Sequence, residues 1–188
     1  MWAPAHEAVT LRIVAPIERD VPMRKGGDGY HEVVLDAAAA GTHYLFRVGR
    51  NDRPDPASRS QPDGVHRASE VVAGDFVWTD CGWEGLDFAE AVVYEMHVGT
   101  FTSEGTFDAA IERLDDLKEL GVNVVELLPI AQFPGERNWG YGGVYVNAVQ
   151  HSYGGQRGSS VWSTPVISGA WRFFLMPSTT ISDRKGTT

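Results

Sequence analysis

Between Ala91 and Gly155 the chain runs through a strand, a helix, a second strand and a glycine-aromatic loop in quick succession, and this order constrains the fold more than any other feature. AVVYEMHV (Ala91–Val98) is nearly all apolar and rich in β-branched and aromatic residues, the pattern of a parallel strand buried on both faces. After the polar turn GTFTSEGT comes FDAAIERLDDLKEL, where Phe107, Ala110, Ile111, Leu114 and Leu117 recur at helical spacing. Asp108, Glu112, Arg113, Asp115 and Lys118 fall between them, so one face is core and the other wet. Thr106 suits the N-cap, Asp108 sits where the helix dipole favours an anion, and Gly121 suits a left-handed C′ position. VNVVELLP (Val122–Pro129) is a second run of strand length, closed by a proline that cannot donate to a ladder. Strand, helix and strand at this spacing predict a right-handed βαβ unit and hence a parallel sheet.

The chain then enters IAQFPGERNWGYGGVYVNAVQHSYGG, too long and too rich in Gly, Trp and Tyr for a plain connection. Long loops after the carboxyl end of a strand are where α/β enzymes place chemistry, although such aromatics can also simply pack beneath the loop.

The segment VVYEMHVGTFTSEGTFDAAIERLDDLKELGVNVVELLPIAQFPGERNWGYGGVY resembles the opening of the catalytic barrel in α-amylase-type glycoside hydrolases, and within that group the malto-oligosyltrehalose trehalohydrolase family. YEMHVGTFT and ELLPIAQFPGERNWGYGG carry the resemblance, and DPASRSQPDGVH (Asp55–His66) is similar to the same family's linker region. A 1,4-α-glucan branching enzyme would share the YE-H-G beginning but differ at the FPGERNWGY loop. The resemblance implies an immunoglobulin-like β-sandwich over residues 1–90, then the β-α-β start of a (β/α)8 TIM barrel over 91–155. The implied activity is hydrolysis of the α-1,4-glucosidic bond next to the terminal trehalose of maltooligosyltrehalose, in trehalose biosynthesis, without cofactor or metal.

Over residues 1–90 the short alternating runs VTLRIV (Val9–Val14), HEVVLD (His31–Asp36) and HYLFRV (His43–Val48), with turn residues at Gly26–Gly29 and Gly41, predict a small antiparallel sandwich. The family pattern begins with a further strand ahead of the WAP tripeptide; here Trp2 stands next to Met1, so that strand is expected to be missing and a sheet edge to be unpaired. Trp2, Trp78 and Trp83 are candidate stacking platforms for glucan, or core residues. RNDRPDPASRSQPDGVHRASE is polar, proline-rich and without period, a linker or a long ordered loop.

Composition narrows the classes. A formal charge of −9 argues against a nucleic-acid partner, and no apolar run approaches the ~20 residues of a membrane span. Pro4 and the early charges leave no signal-peptide core, and the single Cys81 cannot form an internal disulfide, so a cytoplasmic location and an inert thiol are expected. Oligomeric state is not legible.

Glu95 and His97 lie two apart in a strand and share a face, either as hydrogen-bonded structural residues or as part of a sugar site. The resemblance implies that Tyr141 stacks on sugar at the cleavage point and that Trp139 shapes the same wall. Gly142 stands where the family has an aspartate, and Asn147 where an aromatic is usual. Retaining hydrolysis needs two carboxyl groups about 5–5.5 Å apart. The resemblance places these, and a third acid, after the fourth, fifth and seventh barrel strands. None can be matched here, so no catalytic residue is assigned and the chain alone is expected to be inactive, a glycosidase fragment or a non-catalytic glucan-binding or structural piece. With the barrel left open, Val92, Val124 and Leu127 are expected to be partly uncovered.

Residues 156–188 lose the resemblance and show neither helical nor alternating order. They hold four of the 16 basic and one of the 25 acidic residues, a net of +3 against −12 for residues 1–155. A one-base shift near Gly155 lets codons be chosen so that the neighbouring frame spells a segment like the family's second helix and third strand. Met176 and Pro177, where codon choice is narrow, permit Asp and force Ala in that frame. An out-of-frame tail is the expectation.

Overall fold

The computed structural model describes residues 1–36, 38–78, 86–168 and 172–175. Cys81 and Trp83 lie outside the described residues, so what was expected of them is not addressed by it.

The alternation in the first half folds as antiparallel sheet. β1 (Val9–Ala15) lies between β2 (Arg19–Pro22) and β5 (His43–Val48). The far half of β5 pairs with β6 (Asn51–Arg53) and its start with β7 (Ser69–Glu70). Register sets Val9 opposite Val48 and Leu11 opposite Phe46, so residues two apart gather on one face with Ala3 and Met23. A separate ribbon pairs β3 (Arg24–Lys25) with β4 (His31–Glu32). The strand expected over His31–Asp36 is thus only two residues long, and Val34 is exposed. Trp2 forms an isolated bridge to Tyr30, donates from Nε1 to Asp28 O at 3.0 Å and is largely exposed rather than core.

The proline-rich stretch that follows is an ordered loop. Ser58, Gln61 and Ser69 are buried in it, and burial of polar groups is tolerated only when they are paired. The Gln61 carboxamide accepts from Ser69 Oγ at 2.7 Å and donates to Ala68 O, while Ser69 Oγ accepts from the Asp55 N–H at 2.9 Å.

The second half builds the expected parallel sheet. β8 (Val93–Met96) pairs in register with β9 (Val124–Leu127), and between them run α1 (Val98–Phe101), α2 (Phe107–Ile111) and α3 (Leu114–Glu119). The single helix expected over 107–120 is broken at Glu112–Arg113, yet its apolar positions still reach one core. The ends match expectation: Thr106 Oγ1 accepts from the Ala109 N–H at 3.3 Å, and Gly121 has φ +90°. Thr106→Ala should cost about 1 kcal/mol, read as a lowered urea midpoint. No change would mean that helix entry does not depend on this cap.

β8 is not buried on both faces. Tyr94 and Met96 join Val125 and Leu127 beneath the helices, whereas Val93 and Glu95 are exposed on the opposite face, where Glu95 lies beside Glu126. Val92 is half exposed as expected, but Val124 and Leu127 are buried: Leu127 lies in the core beneath the helices, and Val124, on the other face, sits in the central strand flanked by β8 and by a later parallel strand.

β10 (Ala131–Gln132) and β11 (Tyr145–Val149) then form a hairpin that brackets the aromatic loop. The chain continues into α4 (Gly155–Ser168) and β12 (Arg172–Leu175), which pairs parallel with β9 to give the order β12-β9-β8. The expectation of no regular element after Gln156 is therefore corrected. Trp162, fully buried, sits 5.9 Å from the Phe107 ring, and this tertiary contact overrides a sequence of weak helix formers. Ser163 and Thr164 hydroxyls bond back to the carbonyls of Ser159 and Ser160, and Pro165 has no amide to give the helix ladder.

Candidate sugar-facing wall

His97 ends β8 and starts α1, so its ring stands at the carboxyl mouth of the parallel sheet. The loop between β10 and β11 returns to the same place. Trp139 and Tyr141 are exposed there, at 66% and 57%. Large aromatic faces left in water at a strand's carboxyl end suit an apolar ring face of a ligand.

The loop that carries them is built by buried amides. Gln150 Oε1 accepts from the Phe133 N–H at 3.0 Å, while its Nε2 donates to Gly135 O and Ser152 Oγ. Gln132 Oε1 accepts from the His151 N–H at 2.9 Å, and its Nε2 donates to Phe133 O. Both glutamines are fully buried, and each ties one end of the loop to the other.

Within the loop Asn138 is the organiser: its Oδ1 accepts from the N–H groups of Gly140 at 2.8 Å and Gly142 at 3.2 Å. Gly140 has φ +95°, and a Cβ there would stand 2.0 Å from Pro129 O. Gly142 is also spatially constrained, since a Cβ would meet Asn138 Nδ2 at 2.8 Å. An aspartate at 142 would have to displace the Asn138 amide; glycine leaves it free to hold both N–H groups.

His97 meets this loop directly. Its Nε2 lies 2.7 Å from Asn138 O and 3.1 Å from Tyr153 Oη, its Nδ1 lies 3.0 Å from Thr100 Oγ1, and its ring is 5.1 Å from that of Trp139. A carbonyl only accepts, so Nε2 carries the proton and donates to Asn138 O. Tyr153 is buried against Phe107 and Phe133, and burial pushes its hydroxyl up to about 12, so at neutral pH it remains a phenol.

The structure thus places Trp139, Tyr141 and His97 at one mouth, with His97 bonded inside the protein. Glu95 lies on the open sheet face beside Glu126. Asn147 is exposed on β11. Asn138, Gln132, Gln150 and Tyr153 were not singled out by sequence, because their importance lies in contacts between elements and no spacing announces them.

No family model matches the chain. Among curated proteins it is 47% identical over 160 residues to malto-oligosyltrehalose trehalohydrolase of Saccharolobus solfataricus, covering 84% of this chain and 28% of that one. It is 44% identical over 163 residues to the Mycobacterium tuberculosis protein of the same name, covering 84% and 28%. A 1,4-alpha-glucan branching enzyme of Corynebacterium jeikeium is more distant, at 33% over 71% of this chain and 21% of its own length. Among solved structures, a Salmonella typhimurium protein described as an alpha amylase superposes with a TM-score of 0.87 at 41% identity, covering 93% of this chain and 30% of that one. The type I pullulanase of Bacillus subtilis, solved with maltose, shares the fold at a TM-score of 0.75 and 23% identity, covering 93% and 30%. The chain spans little more than a quarter of the length of the curated relatives it matches. On these likenesses the chain belongs to the malto-oligosyltrehalose trehalohydrolase family of α-amylase-type glycoside hydrolases.

Proposed function

We propose that this chain supplies the substrate-facing aromatic wall of a malto-oligosyltrehalose trehalohydrolase, with Tyr141 and Trp139 stacking on a maltooligosaccharide-type substrate. The activity to which it belongs is hydrolysis of the α-1,4 bond next to the terminal trehalose, with release of trehalose in the cytoplasm. The chain alone is inactive in this reading. The observation that carries it is the pair of exposed rings on a loop rigidly tied by buried amides at the sheet's carboxyl mouth. Residues 1–90 form an immunoglobulin-like module of the carbohydrate-binding type, and 91–155 open a (β/α)8 TIM barrel. The latter is supported by the parallel order β12-β9-β8 with α2 and α4 packed together.

Residues 156–188 are an out-of-frame tail in the same reading. One observation supports this: α4 is made largely of weak helix formers with Pro165 in it. Reading the coding DNA tests it. An uninterrupted family-like frame across a single indel is expected, and a neighbouring frame full of stops would refute it.

Binding is tested by electrophoresis through a gel containing soluble maltooligosaccharide. The chain should be retarded, and Tyr141→Ala or Trp139→Ala should weaken retention about tenfold, the equivalent of about 1.4 kcal/mol of stacking. Equal mobility with and without sugar would remove the wall from the account.

A further inference from the structure

Resting on the reading of Trp139 and Tyr141 as a sugar wall, we infer that His97 is its positioning residue, a ring that fixes the wall through Asn138 O and beneath Trp139 without itself touching sugar. Every polar atom of the imidazole is already engaged by the protein: Nε2 by Asn138 O and Tyr153 Oη, Nδ1 by Thr100 Oγ1. No ring nitrogen is left for a ligand hydroxyl. The bond to Asn138 O is the short one, at 2.7 Å, and it holds the residue whose side chain sets both Gly140 and Gly142. Tyr153, wedged against Phe107 and Phe133, backs the ring from the core. Core packing is thereby transmitted through one imidazole to two exposed aromatics. A donor at this position is required, but a charge is not.

The test compares His97→Gln, which keeps a side-chain N–H, with His97→Leu, which keeps bulk without a donor. Backbone order is read by nitrogen-15 relaxation of the full chain without ligand. In the parent and His97→Gln the Gly140 and Gly142 amides should show order parameters near ~0.85; in His97→Leu they should fall below ~0.6. The Trp162 indole signal should stay unchanged in both, separating loss of the wall from loss of the fold. Equal order in the two variants, or collapse of Trp162 with the loop in both, would overturn the assignment. Maltotetraose titration of the Trp139 indole signal forms the second arm. His97→Leu should weaken it at least tenfold, and unaltered titration would also overturn the assignment. Absence of any shift in the parent would instead reject the sugar-wall reading, while the relaxation comparison still decides the role of His97.

Discussion

Trp162→Ala should destabilise the chain by about 3–5 kcal/mol, a large fraction of the about 5–15 kcal/mol that holds a domain together. The indole is fully buried beside Phe107, and it secures α4 against α2. The local sequence adds little: Gly155, Gly158, a run of serines and Pro165 lower its intrinsic helicity, and its hydroxyls bond back to its own carbonyls. Removing the ring should therefore release α4, and with it the support of β12 on β9. Urea denaturation with hydrogen exchange of the 155–168 amides reads both effects. A change below about 1 kcal/mol would mean that the helix is not docked as described, because buried aromatics do not leave a core so cheaply.

Gly140→Ala should be comparably severe. At φ +95° an L side chain is strained, and its Cβ would lie 2.0 Å from a backbone carbonyl, that of Pro129, which cannot swing aside as a flexible side chain could. Relief requires the loop to move away from the end of β9, breaking the Asn138 bonds to Gly140 and Gly142. The expected cost is about 3–5 kcal/mol, in the range that marks a named steric mechanism rather than ordinary surface change. Maltooligosaccharide retention should fall with it. A variant within about 0.5 kcal/mol of the parent would show that this close approach does not exist in solution.

The sequence made the parallel βαβ unit legible because three local signals agreed: an apolar run, a helical period with Thr106 and Gly121 at its ends, and a second apolar run closed by Pro129. The strands VTLRIV and HYLFRV were equally plain, since alternation maps directly onto one buried sheet face. HEVVLD carried the same β-branched residues but lacked a partner strand beyond Glu32, and propensity without pairing does not make sheet. The break at Glu112–Arg113 was hidden because both halves keep their apolar residues on one face. α4 was invisible for the opposite reason: no period marks it, and contacts distant in sequence, among them Trp162 with Phe107, give it a place. At the wall, Trp139 and Tyr141 were singled out through the family resemblance of the WGYGG loop, since no spacing marks them by itself. The clamp beneath them, Asn138 with His97 and Tyr153, joins residues 41 and 56 positions apart and emerges only once the fold is assembled.

The central claim is that this polypeptide presents a recognition surface while the acid pair for glycosidic cleavage is not among the residues that form it. Trehalose released from maltooligosyltrehalose by the purified chain, measured against a protein-free blank over a range of chain concentrations, tests this most directly. The account predicts no release above blank at any concentration. Release rising in proportion to the chain, and abolished by Glu95→Gln or Glu126→Gln, would contradict it.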